Sequence, residues 1–175
     1  MDLSKINIGK ELPWDVNVVI EIPLGGEPVK YEIDKESGAL FVDRFLHTAM
    51  YYPANYGFIP ETLADDGDPL DALVVGNIRV VPGCVIRCRP LGVLLMEDEA
   101  GQDEKLIMAP VTKLSPYYAN TKDYNDLPEI LRDQITHFFH HYKDLEPGKW
   151  VKILRWGTAE EAAELIRKTH ANYQR

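Results

Sequence analysis

From Val16 the chain alternates. Val16, Val18, Ile20 and Ile22 fall on one side of an extended segment, and Val19 and Glu21 on the other. A second alternation follows, with Val29, Tyr31 and Ile33 opposite Lys30 and Glu32. A two-residue period cannot present one buried face on a helix, so this region is committed to sheet. The intervening "PLGGEP" reads as a hairpin loop. Centred on Gly25–Gly26, it would set Glu21 opposite Lys30 and Val19 opposite Glu32 on one polar face, with Pro23 and Pro28 limiting the ladder. Further strand-like runs are "ALFVD", "GFI", "ALVV", "CVIRCRPLGVLLM", "KLIMAPV" and "WVKILRW". "EDEAGQDE" joins the long run from Cys84 to the run from Lys105, as a second hairpin with an acidic tip.

Two segments have a helical period. Leu127, Leu131, Ile135, Phe138 and Tyr142 form one stripe. Asn125 or Asp126 would cap that helix, Pro128 suits its first turn, and Pro147-Gly148 would end it. A second helix opens at "TAEE", a capping box from Thr158 to Glu161, and runs to the C-terminus. The expected fold is mainly β with α (α+β): a compact antiparallel core, closed or partly closed into a small barrel, with two main helices outside. With 175 residues, 45% hydrophobic and 27% charged, the chain can build one such core, so residues 1–175 are expected to form a single domain.

No apolar run approaches the roughly 20 residues of a membrane span. "MDLSKINIGKELPW" lacks the apolar centre of a secretory signal. A cytoplasmic protein with no membrane partner is expected. Cys84 and Cys88 would lie roughly 13 Å apart along a strand, too far for a disulfide, and are expected to be reduced, buried thiols. A net charge of −9 opposes nucleic acid, which needs a basic face, and suits multivalent cations.

Acidic residues fall in two clusters. "DDGDPLDA" carries Asp65, Asp66, Asp68 and Asp71, and "MEDEAGQDEK" carries Glu97, Asp98, Glu99, Asp103 and Glu104. Either alone is what a solvated turn looks like. The first cannot be an EF-hand, because Gly67 is misplaced and Pro69 interrupts. If the two meet, their like charges call for a hard cation such as Mg²⁺, which prefers oxygen ligands. Lys30, Arg44, Lys105 and Lys143, with Tyr51, Tyr52 and Tyr56, add the groups that hold phosphate oxygens. No "GxxxxGK" or "GxGxxG" loop is present, so a nucleotide-binding fold of either type is not expected.

At these residues the chain resembles the soluble family I inorganic pyrophosphatases in their bacterial form. The resemblance rests on "DGDPLDA", "VVIEIP", "KYEIDKESGALFVDR", "YPANYGFIP", "VIRCRPLGVL", "DEAGQDEK", "YNDLPEIL" and "HFFHHYKDLEPGKWVK", covering roughly residues 10 to 156. It implies a five-stranded OB-like barrel and hydrolysis of pyrophosphate to two orthophosphates with several Mg²⁺ ions per site, Mn²⁺ or Zn²⁺ being substitutes. By resemblance, Asp66, Asp71 and Asp103 hold the tightest metal, Asp71 bridges to a second, and Asp98 and Asp103 hold a further one. Glu21, Glu32 and Glu99 line the same cavity. Asp68 takes the proton of the attacking water. Lys30, Arg44, Tyr56, Lys105, Tyr142 and Lys143 form the substrate side, with Tyr52 and Lys149 beside them. Asp65 has no assigned role.

His137 and His141 lie about 40° apart on the first helix, beside Ile130. Phe138 stands where "HExxH" would need Glu, so zinc is not indicated. A plain surface pair and an interface pair both remain open from the residues; the resemblance implies the latter, in a homohexamer, a dimer of trimers, with Asp144 as a partner. Two rival readings are a phosphohydrolase acting on nucleotides or phosphate esters, which needs an aromatic slot, and a barrel for single-stranded nucleic acid, which needs a basic groove.

Overall fold

The alternating segments do become strands. The computed structural model describes residues 2–174. Its strands are β1 (Gly9–Glu11), β2 (Asp15–Ile22), β3 (Val29–Ile33), β4 (Leu40–Phe45), β5 (Asn55–Phe58), β6 (Asp71–Val74), β7 (Val85–Asp98), β8 (Gly101–Pro110) and β9 (Val151–Gly157). The helices are α1 (Glu129–His141) and α2 (Ala159–Tyr173). Going round the sheet, β2 pairs with β5, β5 with β6, β6 with β8, β8 with β7, and β7 again with β2. Five strands therefore close into an OB-like barrel, in which only the β6–β8 contact is parallel. β1 extends β2, β9 pairs with the second half of β7, and β3 and β4 form a sheet of their own. No helix among the described residues is long and apolar enough to cross a membrane.

Closure demands bends, and the sequence marks them. β7 serves β2, β8 and β9, and its register shifts between Pro90 and Gly92, where Pro90 has no N–H to give the ladder. β2 shifts between Ile20 and Ile22 where it crosses β5. There Gly57 is obligatory: a Cβ added to it would lie 1.8 Å from the Val19 carbonyl oxygen. The extra residue of this bulge is Glu21, and bulges re-aim side chains.

Alternation then sorts side chains into two apolar layers. Ala72 and Val74 of β6 and Leu106 and Met108 of β8 pack with Ala162 and Ile166 of α2. Their odd-numbered neighbours Leu73, Val75, Ile107 and Ala109 pack with Ile135, Phe138 and Phe139 of α1. Asp71, Asp103 and Lys105 share the odd parity. They are the polar continuation of the layer under α1.

Four expectations need correction. "PLGGEP" does not join partners in a hairpin: β3 pairs with β4, so Lys30 faces Arg44 and Glu32 faces Phe41. β2 is already taken on both edges by β5 and β7. α1 is not capped by Asn125 or Asp126. Leu127 precedes a proline and is extended, with ψ 149°, so the helix starts only after Pro128, and the capping interactions of Asp123 and Asp126 close a separate 3-10 turn at Tyr124–Asp126. α1 also ends at His141, before Pro147. Cys88 is buried as expected, but Cys84 is exposed, in the turn before β7.

Gly57→Ala is expected to cost about 3 kcal/mol or more, because backbone rather than a flexible side chain must move. Urea unfolding measures it, and a loss below about 1 kcal/mol would mean that the β2–β5 crossing yields easily.

Candidate active site

The polar end of the α1-side layer opens into a cleft of about 230 Å³. β6 contributes Asp71, and the loop before it Asp66 and Asp68. The β7–β8 hairpin contributes Asp98, Gln102, Asp103 and Lys105. The bulge in β2 contributes Glu21, β5 Tyr56, the β3–β4 sheet Lys30, Glu32 and Arg44, and the end of α1 Tyr142 and Lys143. The two acidic clusters, some thirty residues apart in sequence, therefore face one space. The carboxylates of Asp66, Asp71 and Asp103 line it together.

Lys105 organises the interior. Its Nζ lies 2.5 Å from Asp71 Oδ2 and 2.5 Å from Asp103 Oδ1, and donates to the Tyr56 hydroxyl at 3.5 Å. Burial alone would depress its ammonium, but Asp71, Tyr56 and Asp103 together hold it well above the usual lysine range. Lys143 Nζ reaches Asp98 Oδ2 at 2.6 Å and Glu99 Oε1 at 3.4 Å. Burial opposes the Asp98 charge, yet Lys143 and the Ala100 N–H bring its carboxyl below the usual range. Lys30 ion-pairs with Glu32 and stands 3.6 Å from Asp43 Oδ2. Arg44 Nε stands 3.0 Å from the buried Glu146. Burial raises the Tyr56 and Tyr142 hydroxyls, so both are protonated donors at neutral pH.

The acids not neutralised by lysine behave differently. Glu21 is pushed up to about 8, chiefly by burial, against the hydrogen bond its Oε1 accepts from the Ile33 N–H at 2.7 Å. Asp66 is raised, first by burial and then by Asp68, Asp71 and Asp103. Among the described residues no three acidic, His or Cys side chains stand close enough to enclose an ion as they are. The donor set nonetheless fits a hard cation. Its members are oxygen ligands sharing a cleft, and an ammonium already bridges Asp71 and Asp103 as a positive charge would.

Some expected residues lie elsewhere. Glu99 sits at the rim beside Lys143, Tyr52 is buried behind Tyr56 at 5.7 Å between ring centroids, and Lys149 is 3.9 Å from Glu146 rather than on the cleft wall. Tyr51 is exposed. Asp65 pairs with Lys168 of α2 at 3.1 Å. Sequence reasoning missed Lys35, which lines the cleft and reaches Asp68 Oδ1 at 3.0 Å, and Glu146 behind Arg44. Lys35 lies inside the quoted "KYEIDKESGALFVDR", but a lysine beside a turn carries no other signal.

Glu21 generates a pH prediction for the metal-free protein. Its folded pKa is raised from 4.5 to about 8, so its neutral form favours folding and that contribution is lost as pH rises towards 8. In EDTA, stability is expected to fall between pH 5 and pH 8, and Glu21→Gln, always neutral, should flatten that part of the curve. Denaturant unfolding across this range checks it; identical slopes would show that Glu21 is ionised throughout.

A family model for inorganic pyrophosphatase matches residues 18–174. The inorganic pyrophosphatase of Caulobacter vibrioides is 65% identical over 173 residues, 99% of this chain and 98% of its own. A solved structure described as an inorganic phosphatase from Anaplasma phagocytophilum superposes with a TM-score of 0.95 at 51% identity, covering 98% of this chain and 100% of that one. The inorganic pyrophosphatase of Thermus thermophilus gives 0.94 at 42% identity, with 100% of both chains covered. The chain belongs to the inorganic pyrophosphatase family, in its bacterial family I form.

Proposed function

We propose that this chain carries out its family's reaction, hydrolysis of pyrophosphate to two orthophosphates, by direct in-line attack of water with Asp68 as the base. The carrying observation is one cleft in which a wall of carboxylates faces lysine, arginine and tyrosine donors. Pyrophosphate is strongly anionic, so it repels a nucleophile and leaves poorly. Lys30 and Arg44 stand directly opposite on β3 and β4, both cations line the cleft, and Asp43 Oδ2, 3.6 Å from the first and 3.5 Å from the second, relieves their mutual repulsion. Arg44 and Tyr56 hold the electrophilic phosphate, while Lys30, Tyr142 and Lys143 stabilise charge on the departing one. Lys105 supports the substrate side from below.

Asp68 is exposed at the mouth, and its backbone N–H donates to Asp66 Oδ1 at 3.0 Å. It accepts a proton from water, the water oxygen bonds to phosphorus, and the bond from that phosphorus to the bridging oxygen breaks. No Ser–His or Cys–His pair is needed, because no covalent enzyme intermediate forms.

Asp66, Asp71 and Asp103, then Asp98, with Glu21, Glu32 and Glu99 around them, would hold Mg²⁺, with Mn²⁺ or Zn²⁺ as substitutes. Bound divalent ions supply charge neutralisation and lower the pKa of water from 15.7 towards about 7. Residues 1–175 act as one catalytic unit, and a cytoplasmic setting suits the unpaired Cys84 and Cys88. A homohexamer is the proposed assembly. His137 and His141 are neighbours on α1, with ring centroids 4.7 Å apart, and His141 Nδ1 is 2.7 Å from Asp144 Oδ2.

Phosphate release with and without Mg²⁺, beside ATP and a simple phosphate ester, tests the activity; equal turnover of all three substrates would overturn it. Asp68→Asn is expected to keep the fold and most metal binding but lose about a hundredfold or more in kcat. Near-normal turnover at neutral pH would remove Asp68 as base. Sedimentation from pH 5 to pH 8 should show a large assembly that responds to protonation of the histidines, and an unchanging monomer would rule the hexamer out.

A further inference from the structure

We infer that the last turns of α2 position the loop carrying Asp66 and Asp68, with His170 as the principal positioning residue. The inference rests on the reading that Asp66 is a metal ligand.

The loop between β5 and β6 is closed at its base. Ile59 N–H donates to the Leu70 carbonyl at 2.9 Å, and Leu70 N–H to Thr62 Oγ1 at 2.9 Å. Its tip is tied to itself, with Ala64 N–H donating to the Asp68 carbonyl at 2.8 Å and Gly67 N–H to the Ala64 carbonyl at 3.1 Å. The limb between base and tip is held from outside. His170 Nδ1 lies 2.7 Å from the Glu61 carbonyl oxygen. Leu63 N–H donates to the Thr169 carbonyl at 2.9 Å, and Asn172 Nδ2 to the Leu63 carbonyl at 3.5 Å.

Two further observations mark this limb as positioned. Glu61 has φ +54°, a left-handed conformation that a residue with a side chain rarely keeps unless its surroundings hold it. Its carboxylate accepts from Ile8 N–H at 3.0 Å and its carbonyl from His170, so both ends of the residue are held. The histidine itself is oriented. A carbonyl can only accept, so Nδ1 carries the proton, and Nε2 is left to accept from Gln174 Nε2 at 2.9 Å. The Lys168–Asp65 pair, with both side chains more than half exposed, adds little beside these bonds.

Orientation of a ligand by groups behind it governs metal affinity as well as the ligand does. The full-length chain is titrated with Mg²⁺ by calorimetry, without substrate, as wild type, His170→Ala, His170→Asn and Asp66→Asn. Amide exchange at Leu63 and Gly67 is followed in EDTA. His170→Ala should weaken Mg²⁺ binding about tenfold and speed exchange at both amides, with the thermal midpoint in EDTA close to wild type. His170→Asn, whose amide N–H can replace Nδ1, should restore both. An unchanged Mg²⁺ isotherm in His170→Ala overturns the inference and leaves the ligand assignment standing. An Asn variant as weak as the Ala variant also overturns it, since the donor would then not matter. An unchanged isotherm in Asp66→Asn overturns the ligand assignment and the inference with it.

Discussion

A lysine stands where the barrel is otherwise apolar. β8 places Lys105 between Asp103 and Ile107 on the face under α1, with 4% of its surface exposed. Withdrawing an ammonium from water costs several kcal/mol unless carboxylates meet it with good geometry. Asp71 and Asp103 both do, at 2.5 Å. The constraint binds the fold as well as the site. Asp103 is two residues away on the same strand, but Asp71 comes from β6, and only the parallel β6–β8 pairing, Ala72 beside Leu106, brings it there. Removing either acid alone would leave a buried charge under-compensated, so the strands that close the ring and the acids proposed to hold metal are stabilised together.

Around that ammonium the site is assembled from pieces with little in common. The barrel supplies Asp71 from β6 and Asp103 from β8 on the face under α1. The small β3–β4 sheet supplies two cations set directly opposite each other, with the Asp43 carboxylate within reach of both. The end of α1 supplies Tyr142 and Lys143, the first a buried phenol and the second an ammonium held by Asp98. The bulge in β2 turns Glu21 inward, where burial keeps its carboxyl protonated near neutrality. Cations and anions are paired on the barrel side, while Asp66 and Asp68 at the mouth have no buried lysine of their own.

Much of this was readable in advance, and the reasons are local. The β7–β8 hairpin was visible because two long apolar runs flank an acidic turn, and Asp98 does face Gly101. α2 was visible because the Thr158 and Glu161 side chains each accept from the other's backbone N–H at the start of the helix. The β2–β3 hairpin was misread for an equally clear reason. A Gly-Gly turn between two alternating segments is the usual sign of pairing, but both edges of β2 are needed to close the ring. The start of α1 was misplaced because Asp123 and Asp126 cap a short turn in front of it. Lys35 and Glu146 were passed over because a lysine in a turn and a glutamate before a proline look like surface residues.

What the amino-acid order settled alone was chemistry and period: which stretches are extended, which helical, and that acids, lysines and tyrosines recur in motifs shared with the inorganic pyrophosphatases. Such features are written in residues a few positions apart. Tertiary structure decided who meets whom. It set Lys105 between Asp71 and Asp103, Arg44 against Glu146, and the end of α2 against the loop before Asp66. The first of those contacts follows from ring closure, whose bends at Gly57 and Pro90 shift the register of whole strands, and the others from elements packed outside the ring; a register or a packing contact is a property of two segments that no single segment contains.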